Sequence, residues 1–207
     1  MPDTPGLEII NLALSHIAQK PITQTQLNNN STIQTQAVIR EWASALKETL
    51  AGYDWGFARV EEALTVLTDA VFEPVNYEYA YVRPTNCIAI RRIFNSGTSE
   101  KTIGEKFMEI YDVTNAAVRI VTDASDAYIR YTYYLTTTTF YTPYFTTAFS
   151  HRLASALAVP LNGNKEEAKG QIAIFNTMIS EAHRHDSYGT NEAHEANEKS
   201  NFIDARG

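Results

Sequence analysis

A strand-like run, Tyr77-Glu-Tyr-Ala-Tyr-Val-Arg-Pro-Thr-Asn-Cys-Ile-Ala-Ile-Arg-Arg-Ile93, interrupted only by Pro84, separates a helical first third of the sequence from a helical last third. Alternating residues place side chains on opposite faces of a strand, whereas a helix repeats every three to four residues, so the two patterns cannot share one element. The order helices, strands, helices predicts an α+β chain: about four helices bundled in antiparallel fashion, with a small antiparallel sheet inserted between the second and third.

The helical stretches carry their own start and stop signals. Leu7, Ile10, Leu14 and Ile17 fall on one stripe, Thr4-Pro5 supplies a first turn and Pro21 a stop, which predicts a helix over about 5–20. Thr23 to Asn30 reads as a polar loop. Ser31 stands three residues before Gln34, a capping-box spacing, ahead of a helix over about 31–51 that carries Val38, Trp42, Ala45 and Leu46 and meets Gly52 at its end. Thr142-Pro143 opens a third helix, expected to run to about 159 before Pro160. Asn164 with Glu167 caps a fourth over about 164–184, with Ala168, Ile172, Phe175, Ile179 and Ala182 as its stripe.

Between these, an inserted lobe over about 71–135 holds β-type runs at Tyr77 to Val82, Cys87 to Phe94, Phe107 to Ile110, Ala117 to Val121 and Ala127 to Leu135. That spacing suits one antiparallel sheet of about four or five strands. Tyr77, Tyr79 and Tyr81 share one strand face; on the next strand Ile88, Ile90 and Arg92 share one face, and Ala89, Arg91 and Ile93 the other. Trp55 and Phe57 form an aromatic junction between helices and sheet, together with Trp42 and Pro84 the expected structural anchors.

From Asp186 to Gly207 the stripe ends, and Tyr188, Phe202 and Ile203 are the only large apolar residues left. So little apolar surface offsets poorly the entropy of ordering, so this segment is expected to be disordered or an extended C-terminal arm outside a single domain of 1–185, serving as a docking arm or standing as a solvated terminus.

Composition excludes several classes of function. The formal charge of −7 argues against clasping nucleic acid by phosphate neutralisation, although an acidic surface would let a polyanion slide past. Leu7 to Ile17 is amphipathic and follows no basic segment, so no signal peptide is expected, and no run reaches membrane-spanning length. Cys87 is the sole cysteine and sits in an apolar run, where an inert buried thiol synthesised in the cytoplasm is expected.

Candidate chemistry is sparse, and no catalytic residue, cofactor or metal is expected. There is no phosphate loop, nucleophile elbow or zinc spacing. His183 and His185 diverge by about 200° on a helix, and Ser150 and His151 by about 100°, so neither pair makes a site alone. Glu61 and Glu62 are adjacent and seldom would face one cleft. The run Thr136 to Thr139, flanked by Tyr133, Tyr134, Phe140, Tyr141, Tyr144 and Phe145, suits a protein interface where exposed and a sheet-to-helix corner where buried.

Several segments, in this order, carry a resemblance: Ile10-Asn-Leu-Ala-Leu-Ser-His-Ile17, the junction Trp55-Gly-Phe-Ala58, Tyr79 to Ile93, Ile129-Arg-Tyr131, and Pro143 to Leu161. Across about Leu7 to His185 the chain resembles the head-to-tail adaptor proteins of tailed bacteriophages, in particular the tail tubular protein A family of short-tailed phages. Asn86 stands where that family usually has Asp. The resemblance implies a non-enzymatic virion subunit of the neck that forms a ring, dodecameric in such adaptors, under the portal protein. There it extends the DNA channel, lets double-stranded DNA pass without sequence-specific binding, and offers a platform to a downstream tail or nozzle protein. It also implies an arm reaching along the portal, with Tyr188, Phe202 and Ile203 as the binding residues. Channel-lining candidates are Glu41, Glu48, Asp69, Glu73, Asp123 and Asp126. The competing expectations are a small tail-associated cell-wall hydrolase using Glu61 or Glu62, and a monomeric ligand-binding module using the Tyr-rich sheet face.

Overall fold

The computed structural model describes residues 4–67, 74–95 and 104–201, and it is α+β. The chain divides into a helical unit, made of the residues up to Tyr53 and from Thr137 onward, and a β unit, Asp54–Thr136. The β unit is thus an insertion in the helical one, entering earlier than the expected 71.

Helices α1 (Thr4–His16), α3 (Ile33–Gly52) and α5 (Lys165–Asn201) each pack against α4 (Pro143–Asn162). Their apolar stripes meet in a core of Ile10, Leu14, Val38, Leu46, Leu50, Phe145, Phe149, Leu153 and Leu157, all fully buried. Trp42 crosses edge-to-face onto Phe149 with ring centroids 4.7 Å apart, joining α3 to α4.

Helix ends depart from expectation where local hydrogen bonding outcompetes the residue that looked like a stop. α1 stops at His16 because Ala18 turns left-handed, its N–H donating to the Ser15 carbonyl at 3.1 Å and that of Gln19 to Leu14 at 2.9 Å. This Schellman closure ends the helix before Pro21 can act. The polar stretch expected as a loop holds a further short helix, α2 (Gln24–Asn29), opened by a capping box of Thr23 with Gln26 and ended by left-handed Asn30. The cap of α3 is Thr32 with Thr35, one residue beyond the expected Ser31 and Gln34. α4 opens at the expected Thr142 cap but runs through Pro160 to Asn162.

Gly163 closes α4 at φ +64°, with its N–H on the Val159 carbonyl at 2.9 Å. A Cβ there would meet nothing within 4 Å, so the cost of a side chain is purely conformational. Gly163→Ala is expected to lower the stability of the helical unit by about 1 kcal/mol in urea titrations followed by circular dichroism. At Gly52 a Cβ would sit 3.4 Å from Ile179 Cδ1 and 3.8 Å from Phe175 Cζ, ordinary contact distances, where α5 crosses the end of α3.

α5 begins with the expected Asn164 cap, whose Oδ1 accepts from Glu167 N–H at 3.1 Å. It continues to Asn201, so the segment 186–201 expected as an extended arm is helical. Alanine, glutamate and lysine in Glu192 to Lys199 are strong helix formers, and no proline interrupts them. Ile172, assigned to the buried stripe, is exposed, whereas Ala182 is buried.

The β unit holds two three-stranded antiparallel sheets rather than the single sheet expected, ordered β1-β6-β3 and β2-β5-β4. The strands are β1 (Arg59–Ala63), β2 (Tyr79–Val82), β3 (Cys87–Asn95), β4 (Phe107–Asp112), β5 (Ala117–Thr122) and β6 (Ala127–Tyr133). β1 and β6 pair with Arg59 opposite Thr132, which brings the entry and exit of the inserted segment side by side. Both sheets contribute to one core of Tyr81, Cys87, Ile93, Ile120, Ala124, Ala127, Ile129 and Tyr131. Register shifts between Cys87 and Ala89 and between Ile90 and Arg92 break the strict face alternation expected for β3. Such bulges add an unpaired residue and re-aim the side chains that follow. The β2–β3 turn through Pro84 carries the chain from one sheet to the other.

Candidate interaction surfaces

The corner of threonines and aromatics divides between the two roles open to it. Thr138 and Phe145 are buried and hold the N-terminal end of α4, while Phe140 and Tyr144 are 63% and 51% exposed. Beside them an open groove of about 620 Å³ runs between α1, the 138–141 segment and α4, lined by Glu8, Ile9, Leu12, Thr138, Tyr141 and Thr146. Apolar walls with threonine hydroxyls and a single carboxylate suit a polypeptide better than a charged metabolite.

A second exposed apolar group forms at the β4–β5 hairpin. Tyr111 and Val118 are register partners, and with Val113 at the turn they leave large apolar side chains in solvent, while Met108 is exposed on the opposite face of β4. The tip is braced from within: Asp112 accepts from Asn115 N–H at 3.1 Å, from Asn115 Nδ2 at 2.9 Å and from Arg119 Nε at 3.1 Å. These contacts, the Asn115 side chain foremost, hold the Asp112 carboxyl below the usual carboxylate range. A hairpin so stiffened presents its apolar tip at little entropic cost on contact.

The face of the β1-β6-β3 sheet that carries Arg59, Glu61 and Arg130 holds one cross-strand ion pair and further polar contacts. Arg130 meets Glu61 at 2.5 Å, Arg59 meets Asp54 at 3.0 Å, and Arg91 Nε donates to Thr132 Oγ1 at 2.8 Å. Burial pushes the Arg91 guanidinium below its ordinary value, while the nearby Asp54 carboxylate partly restores it. Glu62 points to the opposite face of β1, where its Oε1 accepts from the Tyr131 hydroxyl at 3.2 Å. Burial and this carboxylate push Tyr131 up to about 12. Glu61 and Glu62 therefore serve separate contacts and share no cleft. Cys87 is buried as expected, and burial raises its thiol to about 11, far from the range of a reactive thiolate.

The acidic residues considered for a channel lining have mixed surroundings. Glu41 pairs with Arg40 at 2.7 Å, and Glu48 is ion-paired with Arg152 of α4. Asp123 Oδ1 accepts from Glu78 N–H at 3.1 Å, and Asp126 borders a hollow of about 300 Å³ with Ala63, Leu64, Val66 and Tyr81. Asp69, Glu73, Phe202 and Ile203 lie outside the described residues, and Tyr188 falls within α5. Trp55 is buried, with the Phe57 ring at 6.1 Å.

One cluster was not legible in the sequence. Ser150 and His151 diverge as neighbours on α4, yet His16 of α1 meets both: its Nε2 lies 3.0 Å from Ser150 Oγ, and its ring stacks on His151 with centroids 4.0 Å apart and planes at 12°. Ser150 Oγ already donates to the Thr147 carbonyl at 2.8 Å, so it accepts from His16 Nε2–H. A hydroxyl whose proton is held by a backbone carbonyl, facing an imidazole donor, is not an activated nucleophile. Among the described residues no group of three or more His, Cys, Asp and Glu side chains could hold a metal ion, and no helix is long and apolar enough to cross a membrane.

Compared with known protein families and with curated proteins, the chain finds no match.

Proposed function

We propose that this chain is a structural subunit of a phage neck: a head-to-tail adaptor that assembles as a ring beneath the portal, extends the DNA channel and offers the tail its attachment platform. The observation that carries the reading is architectural. A helical body, taken here as a bundle of α1, α3, α4 and α5, is divided in sequence by an inserted β unit at residues 54–136, in the order of segments on which the resemblance rests.

Two further features support it. A ring subunit needs heterologous faces that close on rotation, and the aromatic corner with its groove and the hairpin tip supply two separate exposed apolar surfaces. The net charge of −7 suits a lumen that a polyanion must traverse without sticking. In this reading the C-terminal segment bears the portal contact, through Phe202 and Ile203. Burying two such side chains would contribute about 3 to 6 kcal/mol before ordering costs, multiplied over the ring by avidity.

The test is electron microscopy of the purified chain mixed with portal rings of the phage that encodes it. A symmetric collar on the portal is the expected result, and its loss on deleting residues 187–207 is expected alongside. A chain that leaves portal rings bare at every concentration tried would sink the adaptor reading; a collar that survives the deletion would remove only the arm.

A further inference from the structure

The histidine stack is unused by the proposed function, and its hydrogen bonds specify which ring nitrogen of each histidine carries a proton. Ser150 requires the proton of His16 on Nε2. Gln171 of α5 donates its Nε2–H to the His16 carbonyl at 3.1 Å, so its Oε1 is the acceptor facing His151 Nδ1 at 2.7 Å, and His151 carries its proton on Nδ1. Each ring, while neutral, is thus fixed in one tautomer, and what disfavours protonation is burial and the facing ring rather than these two bonds. One imidazole pair, with Ser150 and Gln171, connects α1, α4 and α5 at a single point.

We infer that the stacked pair His16 and His151 is a pH-sensitive latch, closing the joint of α1 with α4 and α5 when both rings are neutral and loosening it when they are protonated. A first proton places charge on a half-buried ring; a second places two cations 4.0 Å apart, face to face. The charged groups on the elements packed there include Glu8 on α1 and Lys20 beyond it, Arg152 on α4 ion-paired with Glu48 of α3, and Lys165, Glu166, Glu167 and Lys169 in the first turns of α5, with Glu181 and Arg184 farther along it. Glu167 accepts from Asn162 Nδ2 at 3.0 Å and Glu166 from Lys169 at 2.8 Å; among the described residues no carboxylate is bonded to either imidazole. Consistently, burial first and the neighbouring His151 second lower the pKa of His16.

The sign follows from linkage. A histidine whose pKa is depressed in the folded state favours the fold fully above its unfolded value, about 6.5, and that contribution is lost as pH falls through 6.5 toward the depressed value. The effect is local, because α1 is held to α4 and α5 at this point whereas the β unit contains no histidine.

Hydrogen exchange read by mass spectrometry at pH 7.5 and 5.5, corrected for intrinsic rates, tests it on the full chain. Protection of peptides covering Leu7 to Ile17 is expected to fall by up to about tenfold per pH unit for each proton taken up, with much smaller changes over Cys87 to Asn95. His151→Phe keeps a flat ring without a titratable proton and is expected to reduce that fall. Unchanged protection of α1 across this range, or an equal fall in His151→Phe, overturns the latch. Should that variant not fold, the NMR titration of His16 in the native chain decides: a midpoint below 6.5 supports the latch, and one at or above it refutes it.

Discussion

Replacing Phe149 by alanine is expected to destabilise the helical unit by about 3 to 5 kcal/mol. The ring is fully buried on the inner face of α4 and is shared by three aromatic neighbours: Trp42 edge-on at 4.7 Å, Phe145 at 5.9 Å and Tyr141 at 6.4 Å. Removing it opens a cavity between α3 and α4 that rigid rings cannot collapse to fill, so the cavity term adds to the lost transfer energy. Urea unfolding monitored by Trp fluorescence and circular dichroism measures the loss. Phe149→Leu, which retains much of the volume, should recover most of it, and equal losses for the two variants would show that packing at this point is not the cause.

The second large effect is expected in the β unit, at Tyr81. Its ring lies 1% exposed between the two sheets, against a core that includes Ile93, Ile120 and Ile129, and its hydroxyl lies 2.5 Å from the Ala124 carbonyl and 2.8 Å from that of Ser125. These carbonyls belong to the segment linking β5 to β6, where the chain passes from one sheet to the other. Tyr81→Ala removes both ring and tether and should cost about 3 to 5 kcal/mol. Tyr81→Phe keeps the ring but takes the donor from two carbonyls, at about 1 to 3 kcal/mol. Thermal melts of the pair separate the contributions; a Tyr81→Phe variant as stable as the parent would show that the hydroxyl contact is dispensable.

Much of this was legible locally. Thr142-Pro143 and Asn164 announced the starts of α4 and α5, and five of the six strands fall on the runs marked by β-branched and aromatic residues, three of them extending one or two residues past the expected end. The strand that went unread is β1, Arg-Val-Glu-Glu-Ala, whose charges do not alternate with apolar residues. It is a strand because β6 pairs with it over five residues and Arg130 meets Glu61 across the ladder. Strand propensity reflects neighbours more than backbone preference, so such a strand is not visible without its partner.

The histidine cluster escaped for the same reason at longer range. His16 and Ser150 are 134 residues apart, with the whole β unit between them in sequence, and nothing in either local pattern points to the other. Pro21, Pro160 and the polar run of 186–201 misled in the opposite direction: each local signal for a stop or for extension yielded to backbone hydrogen bonds or to residues with high helix propensity.

By itself, then, the order of residues determined that helices flank strands, that Cys87 is buried, and where α4 and α5 begin, since periodicity and capping act within a few residues along the chain. Only the tertiary structure decided that the strands divide into two sheets around Tyr81, that β1 exists, and that His16 stacks on His151, because these depend on contacts between segments far apart in sequence.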